Sequence, residues 1–272
     1  MDSADVVGVL PGLTMPRFPV GAAYLWREAG GATLVDTGTA DRADATHRAL
    51  DGTPLTRIVL THGHEDHVGG ATALAAPHGA EVVAHRLDAP VIRSGAAGAP
   101  PVLEELERPV MAALPPLPAA PPCRVDREVE DGDVLPFGGR AVVVAAPRPT
   151  DGSPALHLPG PGVLFTGDAV ADVGRTMLGV FNTDRARAVA SLRRLAELAP
   201  DTALFGHGEP VVHGAAAALA AAVAATTRPP VRRPAAPLSG PAAVPHRRRR
   251  DFAPGDPRGR REQRAVGALP PL

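Results

Sequence analysis

Along the first 87 residues, short apolar runs alternate with turn-forming residues, a pattern of strands rather than long helices. Residues 22–27 and 32–36 read as two strands joined by Glu28-Ala29-Gly30-Gly31, a turn-like linker. Residues 57–60 predict another strand, followed by a His-rich loop, a helix over about 69–76 ended by Pro77 and Gly79, and a strand over 80–84. The rhythm breaks at Asp88. Residues 88–122 hold Pro-, Gly- and Ala-rich stretches around one amphipathic helix, 102–114. Such an insertion is either a lid over an active site or a surface excursion with no role. Strands resume at 134–135, 141–145, 155–158 and 163–165. A helix is predicted over 184–199, with Thr183 as its N-cap and Leu192, Leu195 and Leu198 on one face. A strand at 203–205 and a helix at 214–225 complete the series.

Past Thr226 the composition changes to Pro, Arg, Ala and Gly, with few large apolar residues. Too little surface can be buried there to offset the entropy of ordering. The expectation is one domain over 1–226, with 88–122 as its insertion, and a disordered Pro/Arg-rich tail over 227–272.

Charge sharpens this division. The formal net charge is −1, but from Arg228 onward 11 Arg face only Asp251, Asp256 and Glu262, so the tail carries +8 and the remainder −9. Basic runs such as Arg247-Arg248-Arg249-Arg250 bind phosphates non-specifically. Phe252 is the one aromatic residue among them, which gives bases little to stack on, so a nucleic acid is not expected as partner. Cys123 is the only cysteine and excludes an internal disulfide. No basic-then-apolar leader pattern is visible at the N-terminus, and the uncharged run 214–227 is too short to span a bilayer. A cytoplasmic protein without a membrane segment is the expectation. Nothing in the sequence sets the oligomeric state.

The candidate chemistry is concentrated in Thr61-His62-Gly63-His64-Glu65-Asp66-His67-Val68-Gly69-Gly70, directly after the apolar run Ile58-Val59-Leu60. Imidazole nitrogens and carboxylate oxygens are good Zn²⁺ ligands, and a tight loop can aim several at one point. The alternative, a solvated polar loop, does not account for this spacing between a strand and Gly-Gly. The His-x-His-x-Asp-His order resembles that of the metallo-β-lactamase superfamily. Further stretches resemble the same family in the expected order: Leu34-Val35-Asp36-Thr37-Gly38, Phe165-Thr166-Gly167-Asp168 and Phe205-Gly206-His207-Gly208.

The resemblance implies a mixed α/β (α+β) chain folded as a four-layer αββα sandwich with a metal site at one edge. It implies that His62 and His64 serve a first metal, that Asp66, His67 and His207 serve a second, and that Asp168 lies between them. Asp36 would orient the metal loop without binding metal, and Asp66 would also act as the catalytic proton carrier. One or two Zn²⁺ ions are implied, with Fe or Mn as alternatives. The implied reaction is hydrolysis of a small ester-, thioester- or lactone-like substrate, since water on such a metal ionises near pH ~7.

One stretch departs from the family. Where the family has Pro-Gly-His-Thr-x-Gly-Ser, this chain reads Pro147-Arg148-Pro149-Thr150-Asp151-Gly152-Ser153. Pro149 occupies the position of the third first-metal histidine and has no side-chain lone pair to offer. The first group therefore keeps His62, His64 and Asp168. Three outcomes stay open: one metal with activity, two metals with the first held weakly, or a catalytically weak relative acting by binding. In the last case Arg148 would enter the first-metal space and pair with Asp168. Among the remaining histidines, His157 is read as a side chain packed on a sheet rather than a substitute ligand. His85 is read as a rim or surface residue.

Overall fold

The structure, a computed structural model, describes residues 5–147 and 150–227. Arg148, Pro149 and the tail from residue 228 onward lie outside the described residues. The expectations for the Arg148 side chain and for a disordered tail therefore concern residues beyond this description.

A seven-stranded sheet runs in chain order: β1 (Asp5–Leu10), β2 (Leu13–Arg17), β3 (Tyr24–Glu28), β4 (Gly31–Val35), β5 (Leu55–Leu60), β6 (Glu81–His85) and β7 (Arg127–Val129). The strands from β1 to β4 are antiparallel neighbours, and those from β4 to β7 are parallel. Parallel neighbours need long crossovers. Helices α1 (Ala43–Ala49), α2 (Glu65–Val68), α3 (Ala71–His78), α4 (Ala89–Ser94) and α5 (Glu107–Ala113) supply them. The second sheet contains β8 (Val134–Leu135), β9 (Ala141–Ala145), β10 (Pro154–Leu158), β11 (Val163–Phe165) and β14 (Thr202–Leu204), in the order β14-β11-β10-β9-β8. A small hairpin, β12 (Val170–Asp172) with β13 (Thr176–Leu178), follows β11. Helices α6 (Arg185–Glu197) and α7 (Ala215–Thr227) complete the described chain.

Strand alternation explains the layers. Leu34, Ile58, Leu60, Val82 and Ala84 point to a core shared with α1, α3 and α4. Their neighbours Val35, Val59 and Val83 point the other way, meeting Val143, Leu156, Val163, Phe165 and Leu204 of the second sheet. Val144, Ala155, Leu164 and Ala203 face outward onto Leu192 and Leu195 of α6 and Leu219 of α7. Where β5, β6 and β11 are buried on both faces, Ile58-Val59-Leu60, Val82-Val83-Ala84 and Val163-Leu164-Phe165 read as continuous apolar runs. The result is the αββα order, and no helix among the described residues is long and apolar enough to cross a membrane.

Several element boundaries differ from the sequence reading. Helix α3 continues through Pro77 and ends at Gly79, which adopts the left-handed conformation (φ 62°). Helix α5 begins at Glu107, not at residue 102. Val102 instead donates its backbone N–H to the Asn182 carbonyl (2.9 Å). The buried Glu107 carboxylate accepts from the Phe181 N–H (3.2 Å) and the Glu104 N–H (2.9 Å). A local and a tertiary bond thus meet on the first residue of this helix. The N-cap of α6 is Asp184, whose Oδ1 accepts from Ala186 N and Arg187 N, rather than Thr183.

Candidate metal centre

The site lies at the carboxyl ends of β4, β5, β11 and β14, the edge where parallel strands place ligand-binding loops. Strand β4 delivers Asp36 and β5 delivers Thr61 and His62. The chain then turns through His64 into α2, which carries Asp66 and His67. In the second sheet β11 leads through Thr166 into the turn holding Asp168, and its parallel neighbour β14 leads through Phe205 to His207. A Gly206 N–H to Gly167 carbonyl bond (3.0 Å) ties these two strand ends together.

Two ligand groups result. One ligand atom from each of His62, His64 and Asp168 lies within 4.8 Å of the others, and the same holds for Asp66, His67 and His207. Asp168 connects them. Its Oδ1 is 3.3 Å from His67 Nε2, and its Oδ2 is 3.4 Å from His207 Nε2 and 3.7 Å from His62 Nε2. Asp66 Oδ2 lies 3.2 Å from His207 Nε2 and 3.5 Å from His67 Nε2. The structure thus brings together all six ligand positions named from the sequence.

Asp36 stands behind the loop. Its Oδ1 accepts from Thr61 N (2.8 Å), and its Oδ2 accepts from Thr61 Oγ1 (2.7 Å) and lies 2.8 Å from His67 Nδ1. With Nδ1 turned to this carboxylate, His67 presents Nε2 to the centre. The Thr37 N–H and hydroxyl both donate to the His67 carbonyl (2.8 Å each), fixing the backbone of the same residue.

Charge is strongly coupled across this centre. Burial opposes ionisation of Asp168, but His207, His67 and His62 outweigh it and hold the carboxyl well below the usual range. Asp66 is likewise lowered against its burial, chiefly by His67 and His207. Burial, reinforced by neighbouring His67, pushes His62 well below its ordinary value, so its ring is neutral. Burial also acts downward on His67, yet Asp168, Asp66 and Asp36 raise it to about 9. His207 is raised by Asp168 above all, to about 11.

These residues fit a metal ion. His67 Nε2 and Asp168 Oδ1 are buried and have no hydrogen-bond partner among the described residues, although each buried orphan costs about 1–3 kcal/mol. Both sets combine imidazole nitrogen with carboxylate oxygen, the donors that Zn²⁺ takes. Gly206 preserves the cradle between them: a Cβ there would sit 2.1 Å from Asp168 Oδ1 and 2.8 Å from His67 Cε1.

Two supporting residues escape the sequence motifs. Tyr24, the single tyrosine, bonds the Phe205 backbone two residues before His207. Asp88 binds Gly63, which lies between His62 and His64. Of the other histidines, His157 lies on β10 paired with Val142 and Leu164. His85 is buried rather than on the rim, because its Nδ1 accepts the Leu87 N–H (3.2 Å) and folds the ring into the turn after β6.

A sequence model of the metallo-beta-lactamase superfamily matches residues 17–207. A hydroxyacylglutathione hydrolase of Rhodobacter capsulatus is 33% identical over 182 residues, covering 66% of this chain and 59% of that protein. One from Fuscovulum blasticum is 32% identical, covering 70% and 63%. The chain thus matches about three fifths of the length of these relatives. A probable metallo-hydrolase of Bacillus subtilis, YflN, is 29% identical over 74% of this chain and 84% of its own. Among solved structures, a metallo-beta-lactamase family protein of Thermus thermophilus superposes with a TM-score of 0.59 at 27% identity, covering 80% of each chain. A beta-lactamase domain protein from Burkholderia ambifaria gives 0.62 at 28% identity, covering 82% of this chain and 76% of that one. On the family match, which runs from the end of β2 through β14 and takes in both candidate ligand groups, the chain belongs to the metallo-beta-lactamase superfamily.

Proposed function

We propose that this protein is a metal-dependent hydrolase of a small ester, thioester or lactone, with a thioester as the first choice. The observation that carries the reading is Asp168, set between two His/Asp groups with a buried, unpartnered Oδ1. The thioester preference rests on the hydroxyacylglutathione hydrolases among its relatives. His62, His64 and Asp168 would hold one ion, and Asp66, His67, His207 and Asp168 a second. Zinc is the proposed metal, and metal analysis separates it from Fe or Mn. Bound there, it supplies Lewis acidity to the substrate oxygen and lowers the pKa of water to near ~7.

The chain's own residues do the remaining work. Asp66 is ionised at neutral pH, the form that accepts a proton. Its Oδ2 faces His207 and His67, so a proton taken from attacking water stays at the centre and is available to the leaving group. Asp36 holds His67 in the ring orientation that turns Nε2 inward. The walls of the two sheets keep His62 and His67 away from bulk water, which strengthens each charge interaction.

Pro149 favours a second reading, a weakly metallated relative that binds without turnover. One experiment separates the two: zinc per chain in the purified full-length protein, with hydrolysis of a hydroxyacylglutathione, a simple lactone and an aryl ester. The hydrolase reading expects at least one zinc per chain and turnover that falls about 10²-fold or more in Asp66→Ala. A chain that takes up almost no zinc and hydrolyses none of the three supports the binding reading.

A further inference from the structure

We infer that Asp88 is a positioning residue for the first ligand group, tying the His62-Gly63-His64 loop to the loop that carries position 149. The inference rests on the metal-centre reading above, but its geometry stands without it.

Asp88 is the first residue of the 88–122 insertion, and it is 4% exposed. Its Oδ2 accepts the Gly63 N–H (3.0 Å) and the Thr150 hydroxyl (2.6 Å), and its Oδ1 accepts the Gly152 N–H (3.2 Å). Gly63 follows β5 in the first sheet, whereas Thr150 and Gly152 lie between β9 and β10 in the second. One buried carboxylate therefore fastens a loop of each sheet to the other. Three donors and no competing acceptor call for an ionised acid, since bonds to a charged acceptor are the strong ones.

The arrangement is specific to this task. Asp88 stands at the N-cap position of α4, yet its side chain makes no capping bond there. Ser153 Oγ lies 2.9 Å from Thr150 Oγ1, which braces the hydroxyl that Asp88 receives. Gly152 comes as near as a residue can: a Cβ would lie 2.5 Å from Asp88 Oδ1 and 2.9 Å from Asp88 N. Thr150 and Gly152, one and three residues past Pro149, are held through Asp88 to the loop of His62 and His64. Those two rings, with Nε2 of His62 3.1 Å from Nδ1 of His64, depend on backbone placement rather than on a third histidine.

The test uses Asp88→Asn, Asp88→Ala and Thr150→Val in the full chain, with two readouts. The first is zinc affinity, from titration of zinc alone into chelator-stripped protein. The second is the imidazole nitrogen NMR signals of His62, His64, His67 and His207 in the stripped protein. Asp88→Asn keeps the shape but sets an amide N–H against an N–H donor. It should weaken the weaker zinc event by at least about tenfold and leave the tighter event within about twofold. The His62 and His64 signals should shift while those of His67 and His207 stay. Thr150→Val removes one of three donors and should act in the same direction by less, which covers the case of an Asp88 variant that does not fold. Parallel loss of both zinc events, or unchanged His62 and His64 signals, would overturn the inference. If the unaltered chain binds no zinc, the metal-centre reading fails, and the ring signals alone decide the role of Asp88.

Discussion

Tyr24 and Phe205, 181 residues apart, are joined by a pair of hydrogen bonds: the tyrosine hydroxyl donates to the Phe205 carbonyl (2.8 Å) and accepts its N–H (3.1 Å). The phenol crosses from the first sheet to the second and closes the backbone polar groups at the end of β14. Burial raises its pKa well above the ordinary value near 10, so the hydroxyl keeps its proton and goes on donating in alkaline solution. Removing it leaves two buried backbone groups unpaired, just before His207. Tyr24→Phe should therefore lose about 1–3 kcal/mol of stability in urea unfolding. It should also weaken zinc binding at the Asp66-His67-His207 group more than at the His62-His64 group. An unchanged urea midpoint would show that the clamp contributes nothing.

Gly206 tests the cradle by volume alone. A methyl group there overlaps Asp168 Oδ1 and crowds His67, so Gly206→Ala must move either the carboxylate or the strand end. The expected outcome is loss of at least one zinc per chain with the far-ultraviolet circular dichroism spectrum retained. Full zinc content in the variant would mean that Asp168 has room to swing away and still serve the site.

The candidate ligand residues were legible because their signals are local or sit at strand ends. His62, His64, Asp66 and His67 share one loop, and Asp168 and His207 each follow a short apolar strand with a glycine beside it. Two supporting residues, Asp88 and Tyr24, gave no such pattern. Asp88 matters because of Thr150 and Gly152, 62 and 64 residues further on, and Tyr24 because of a partner in the other sheet. The one available hint for Tyr24 was its polar tip beside the apolar Leu25 and Trp26, which calls for a partner once buried. Strands β12 and β13, three residues each, are too short to show a period of two. At the start of α5 the Glu107 carboxylate takes one local bond, from the Glu104 N–H, and one tertiary bond, from the Phe181 N–H, and the second has no local signal.

Asp36 offers a test of ring orientation. Its backbone is left-handed (φ 58°), a conformation that Asp and Asn both tolerate, so Asp36→Asn leaves the turn unstrained. The amide, however, replaces one acceptor by a donor beside Thr61 Oγ1 and His67 Nδ1. His67 is then driven towards the tautomer with its proton on Nε2, facing the centre. Zinc affinity of the Asp66-His67-His207 group should fall about 10- to 100-fold, and the stripped protein should unfold more readily as well, because the Asp36 carboxylate is one of the charges that raise His67. Competition against a chromophoric chelator measures it, and an affinity equal to that of the unaltered chain would dismiss the orienting role.

Proton linkage gives the last prediction. Protein stripped of metal by a chelator has His67 raised to about 9 and His207 to about 11, against an ordinary histidine value near ~6.5. Groups raised on folding bind protons more tightly in the native chain. Their stabilisation is therefore complete below about pH 6.5 and is lost as pH climbs through about 9 and then about 11. The urea midpoint of the stripped protein should fall steadily over that range, and His207→Gln should flatten the upper part of the fall. Zinc must displace the same protons, so its uptake at pH 7 should release them, as seen in titrations run in buffers of different ionisation enthalpy. Because the displaced protons leave more readily at higher pH, zinc affinity should strengthen from pH 7 towards 9 while the stripped protein weakens. Two curves that move together instead of apart would show that His67 and His207 are not the residues exchanging protons for metal.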